Sequence, residues 1–245
     1  PGENLRFNSS RQFTLLRTDL NTGESTALFP DFAGGTLVDA TAYGVGVSRW
    51  GHIDGMAYWA EENRLFVFAG RNTLFNIDLD DNSFQHVTTS GLVTGGDFTI
   101  AADGSLYMAD TGANLVVELD PNTGAVVQAF ESNNGVALSG PTDLDFDGNG
   151  ELYIANWGER NVVKLNPSTG ELSPYIAAGG FSDGTLDTAT VAGVYGVEMG
   201  DDGVLYLADR LNHAIRRVDT RADTPRLETI AGDGVSGVIS DSGAR

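Results

Sequence analysis

The sequence predicts an all-β fold, a β-propeller of four-stranded antiparallel blades, on three observations. A leucine followed by an aromatic residue recurs as an anchor at Leu65, Leu106, Leu152 and Leu205, at spacings of 41, 46 and 53 residues. An Asp or Asn follows each anchor at a near-constant distance: Asp120, Asn166 and Asp219 stand fourteen residues on, and Asp78 thirteen. Between these marks lie short apolar runs bounded by Gly, Asn and Asp, and no stretch sustains the 3.6-residue period of a helix. Four short strands repeated at this spacing read as propeller blades.

In chain order, residues 5–29 carry strands two to four of a first unit: Leu5 stands fourteen residues before Asp19, and Asn21-Thr22-Gly23 repeats Asn122-Thr123-Gly124. Residues 30–54 form the longest link, too short for a blade and of the kind in which function often resides. Complete units begin at Gly55, Asp97, Asp143 and Gly196. In the unit that begins at Asp143, Thr142–Phe146 is the inner strand, Asp147–Gly150 a hairpin turn and Leu152–Ala155 the second strand. Trp157–Asn161 is a loop, Val162–Asn166 the third strand, Pro167–Gly170 a turn and Glu171–Ile176 the fourth strand. At the end, "GVISDSGAR" from Gly237 matches "GVEMGDDGV" from Gly196, so Gly237–Ser240 can supply the inner strand that the first unit lacks. Residues 1–245 then form one domain of five blades closed by a C-terminal strand, which removes the open sheet edge. The alternative is a truncated piece of a larger, six-bladed propeller.

Composition narrows the chemistry. A chain of 245 residues can bury roughly 70–75% of its unfolded surface, so its core needs no staples. There are no cysteines, which excludes disulfides, thiol nucleophiles and thiolate metal sites. A net charge of −20 repels nucleic acid and anionic membranes and favours cations. No apolar run reaches the length of a membrane span, and the first residues carry no signal-peptide pattern, as in a mature or a cytosolic chain. Asn8-Ser9-Ser10 is a glycosylation sequon and points, weakly, to an extracellular or periplasmic protein.

The segments "LYMADTGANLVVELDPNTG", "LYIANWGERNVVKLNPSTG" and "LYLADRLNHAIRRVDT" resemble the NHL-repeat β-propeller family, and Asn212-His213 reproduces two of the three residues that name it. The resemblance covers most of residues 95–245 and implies a propeller, usually of six blades, without implying one activity. Family members include protein- and RNA-binding modules, lyases and sensor domains, so function must come from the site.

Several motifs invite a site and lose it. Asp145, Asp147 and Asn149 imitate the start of a calcium loop, but position twelve is Asn156 rather than Glu, and the sibling turns do not keep the acids. The pattern fits a hairpin turn better. Gly232, Gly234 and Gly237 match a dinucleotide fingerprint with no helix signal after it. The three histidines, His52, His86 and His213, are too dispersed for zinc. Asp110, Asn156 and Asp209, with Asn114, Asn161 and Asn212, read as caps for loop backbone.

Two candidate sites remain. The inner strands carry Asp97, Asp143, Asp145 and Glu198, which converge on the axis; a cation in the channel, calcium by its preference for oxygen, would offset their repulsion, and solvation by channel water is the alternative. The face formed by the loops between strands two and three and by the inter-blade links would display Trp50, His52, Asn133, Asn134, Trp157, Glu159, Arg160, Tyr195 and Arg210. Aromatic rings beside Asn and Arg suit a glycan or an extended peptide. The expected function is therefore a non-enzymatic binding or scaffold propeller, alone or as one module of a larger assembly, that recognises a glycan or protein on the loop face and neither binds nucleic acid nor inserts into membranes. The alternative is a calcium-dependent hydrolase or lyase similar to gluconolactonases, with Asp143, Asp145 and Glu198 as ligands and base; Ile53-Asp54-Gly55 departs from that family's opening Glu-Gly-Pro.

Overall fold

The computed structural model describes residues 15–18, 22, 24–29, 53–69, 73–81, 83–89, 91–93 and 95–236. Strands β1 (Leu15–Thr18) and β2 (Ser25–Phe29) pair as an antiparallel hairpin, which corresponds to strands three and four of the first unit. Four complete blades follow. The first is β3 (Ile53–Trp59), β4 (Arg64–Ala69), β5 (Thr73–Asp78) and β6 (Phe84–Thr88). The second is β7 (Gly95–Ile100), β8 (Leu106–Asp110), β9 (Leu115–Leu119) and β10 (Val126–Phe130). The third is β11 (Pro141–Phe146), β12 (Leu152–Asn156), β13 (Asn161–Asn166) and β14 (Glu171–Ala178). Two short strands, β15 (Gly184–Thr185) and β16 (Thr190–Val191), lie in the next link. The fourth blade is β17 (Val194–Met199), β18 (Val204–Asp209), β19 (Ala214–Asp219) and β20 (Arg226–Ala231). The strand order within every blade is sequential and the inner strands contact one another in series, which is the β-propeller arrangement the repeat predicts. The closing segment Gly237–Ser240 and the link 30–52 lie outside the described residues.

The turn chemistry follows from the side chains. Asp147 accepts hydrogen bonds from the N–H groups of Asn149 and Glu151, and Gly150 takes φ +82, so the apparent calcium loop is a capped hairpin. Asp103 with Gly104 and Asp202 with Gly203 repeat the device. The residues that follow the anchors cap the turn between strands three and four: Asp120 accepts from Asn122 and Thr123, Asn166 from Thr169, and Asp219 from Arg221.

The core is a series of layers between blades. Phe66, Phe68 and Leu74 pack on Phe98, Leu106 and Met108; Val116 and Phe130 pack on Leu144, Ile154 and Leu172; Val162 and Ile176 pack on Val197, Leu205 and Leu227. The second and third blades are thus covered on both faces, as in stacked sheets, whereas β18 and β19 of the fourth blade alternate between buried and more exposed residues. This explains why the second strands LYMAD and LYIAN are buried at every residue instead of alternating, while the outer strand β10 is exposed over four of its five residues.

Candidate functional site

In the second, third and fourth blades a polar residue at the end of the second strand holds the link into its blade. Asp110 accepts from the Val93 N–H, Asn156 from Ser139 and Asp209 from Ala192, in each case seventeen residues back. All three side chains are fully buried, and such groups are retained only when paired. Asn156 also donates to Asn161, and Asn212 donates to Asp209. Asn114 departs from the expected pairing and accepts instead from Gly140 of the next link.

The inner-strand carboxylates lie within electrostatic reach of one another, and Asp143 and Asp145 act as braces. An innermost strand has one edge with no neighbouring strand, so its N–H groups need other acceptors. Asp143 accepts from Leu144 and, across the blade boundary, from the Val197 N–H at 2.8 Å. Asp145 accepts from Phe146, from the Met199 N–H at 2.8 Å and from the Thr99 hydroxyl at 2.9 Å, so it joins three blades. Asp97 accepts from Phe98 and fits against Gly55, where a Cβ would lie 2.4 Å from its Oδ1. Burial pushes the Asp143 carboxyl up to about 7, with the Val197 N–H opposing and the Asp97 charge adding. Burial likewise raises Asp97 and Glu198, and the charge of Asp145 raises both further. The donor set does not fit a calcium cage as it stands: both oxygens of Asp143 and of Asp145 serve N–H groups, and among the described residues no group of three or more His, Asp and Glu side chains is gathered closely enough to hold a metal ion.

On the loop face, three of the predicted residues come together at the joint between the third and fourth blades. Trp157 and Tyr195 meet edge to face at 5.4 Å between ring centroids. The Arg210 guanidinium lies over both rings, 5.2 Å from Trp157 and 5.5 Å from Tyr195. Gly193 makes the joint possible: a Cβ there would lie 2.9 Å from Leu211 and 3.1 Å from the Trp157 ring. The Arg210 N–H donates to the Gly193 carbonyl, and the Thr142 hydroxyl donates to the Tyr195 carbonyl, so backbone bonds fix both residues. Tyr195 remains 50% exposed, which leaves the cluster open to a partner.

Arg160 shares the Trp157 turn with its side chain exposed, and its backbone is left-handed at φ +58. The corresponding positions hold Asn114 at +59 and His213 at +49, residue types that tolerate this region better than arginine does. Asn134 is likewise left-handed and exposed, and Glu159 is exposed. Asn133 does not join the cluster. Its amide donates to the Gly170 carbonyl and accepts from the Leu172 N–H, at the turn on the opposite end of the third blade's strands. Its hydrogen-bonding capacity is thus spent in bracing one blade to the next. Trp50 and His52 lie outside the described residues.

One cluster has no counterpart in the sequence reading. Arg216 is fully buried and pairs with Asp209 at 2.8 Å and Asp183 at 2.7 Å, donates to the carbonyls of Ser182 and Thr190, and lies over Phe181. It clasps the link that carries β15 and β16. Val117 and Val163 hold the equivalent position in the second and third blades, so the arginine in an apolar column was the available signal.

Four-stranded blades, serial inner strands and inter-blade layers define the chain as a β-propeller. No protein-family model and no curated protein matches it, and similarity appears among solved structures. Virginiamycin B lyase from Staphylococcus aureus superposes with a TM-score of 0.55 at 15% identity, over 72% of this chain and 54% of the lyase. A protein of unknown function from Bacteroides thetaiotaomicron gives 0.59 at 18% identity, over 72% and 47%. A nidogen/laminin complex gives 0.60 at 16% identity, over 84% and 67%. The chain therefore spans about half the length of the lyase. These likenesses establish the fold, and the neighbours' functions differ among themselves.

Proposed function

We propose that this propeller, of NHL-like type, is a non-enzymatic binding module, extracellular or periplasmic, that engages a protein or glycan on its loop face. The observation that carries the reading is the stack of Arg210 on Trp157 and Tyr195. Cation–π contact with two rings restrains the guanidinium and leaves N–H groups for carbonyl, hydroxyl or carboxylate acceptors. Aromatic residues and arginine are also the residue types enriched at binding hot spots. The left-handed Arg160 beside this stack supports the same reading, because strain tends to persist where a site needs it. A calcium-dependent hydrolase finds less support, since the acids it would use already serve as braces between blades. The acidic, cysteine-free composition suits a partner other than nucleic acid.

The reading is tested on glycan and peptide arrays, with wild type beside Trp157→Ala and Arg210→Ala. Each substitution should lower retention at least about tenfold, the scale of a hot-spot residue, with melting temperatures close to wild type. Equal retention by all three proteins would remove the loop face from the function.

A further inference from the structure

A cavity of about 480 Å³ opens between the first and second blades, at the end of the strands opposite the loop face. Its volume lies within the roughly 300–1,000 Å³ of small-molecule sites. Trp59 lines it and is seated by the neighbouring blade: at Gly104, with φ +88, a Cβ would lie 2.5 Å from the indole ring. The Trp59 ring is half-buried, so part of it faces the cavity and can pack against an occupant. Phe66, Leu119 and Val127 supply the apolar part of the lining.

The charged groups decide the class of ligand. Arg64 is held in place by Glu62 at 3.0 Å, the Asn76 side-chain amide oxygen at 3.1 Å and Asp78 at 3.7 Å, and a guanidinium offers five donors. Asp103 and Asp120 each commit one oxygen to their own turns, and the turns do not need the second. The three lining carboxylates, Glu62, Asp103 and Asp120, disfavour an anion, and Arg64 is already paired with Glu62 and Asp78. Donors and acceptors interleaved around an aromatic ring suit a group that both donates and accepts, which is a hydroxyl. We infer that this inter-blade cavity is a second binding site and that it takes a neutral, polyhydroxylated ligand of one or two sugar rings.

The test is saturation-transfer NMR on the whole chain, with glucose, galactose, mannose, N-acetylglucosamine, cellobiose and lactose as probes. At least one neutral sugar should receive saturation from the wild type. Val127→Trp, which fills the cavity from an exposed outer strand, should abolish that signal. The double variant Asp103→Asn, Asp120→Asn keeps the turn caps and should weaken the signal at least fivefold. Trp157→Ala should leave it unchanged, which separates this site from the loop face. Glucuronate should bind more weakly than glucose. Absence of transfer to every neutral probe, a signal that survives Val127→Trp, or tighter binding of glucuronate or glucosamine than of glucose would overturn the assignment.

Discussion

At the scale of single residues, Asp143 links folding to pH. Its carboxyl titrates near 7 in the folded chain against an ordinary value of 3.8. Between those values the folded state holds a proton that the unfolded state has released, so stability falls as pH rises through that window and levels off above it. Asp97→Asn removes a repelling charge while its amide oxygen can still accept from Phe98. Thermal denaturation should show a shallower decline for this variant, with its gain over wild type larger at pH 8 than at pH 5. Parallel profiles for the two proteins would contradict the coupling. Arg160 offers a second residue-level test. Arg160→Gly relieves a left-handed backbone and should leave stability unchanged or raise it by up to about 1 kcal/mol, as read by denaturant unfolding, even if loop-face binding weakens.

At the scale of elements, the blades are joined by side chains that serve the backbone of the next blade. Asp145→Ala removes acceptors for Phe146, Met199 and Thr99 together and should cost about 2–4 kcal/mol in unfolding free energy. Arg216→Ala leaves buried Asp209 without its cation and should cost about 3–5 kcal/mol; a loss below 1 kcal/mol in either case, in denaturant titration, would mean that neighbouring groups replace the bond. Much of this level was legible in the sequence. Asp147 and Gly150 announced a hairpin, because local side-chain chemistry decides it. Arg216 was not legible, because its partners Asp183 and Asp209 meet it only through the fold of an inserted link. Asn133 was misplaced for the same kind of reason: chain order puts it in a link, and the tertiary contact with Gly170 and Leu172 draws it to the opposite end of the blade.

At the scale of the molecule, the repeat period and the Leu-aromatic anchors determined the propeller, since each blade needs a neighbour on both faces to bury its strands. The site was legible in part. Trp157, Tyr195 and Arg210 were nominated as exposed loop chemistry, but their stacking depends on Gly193, whose role appears only where two blades meet. The use of Asp143 and Asp145 as braces was not legible, because it depends on which N–H groups the inner strands leave unpaired. The central claim is that the propeller binds a partner through that stack. Its most direct measurement is the affinity of wild type and Arg210→Ala for whichever array ligand the wild type retains, by surface plasmon resonance at equal folded fraction. A loss of about tenfold or more, equivalent to about 1.4 kcal/mol, is predicted, and an unchanged dissociation constant would contradict it.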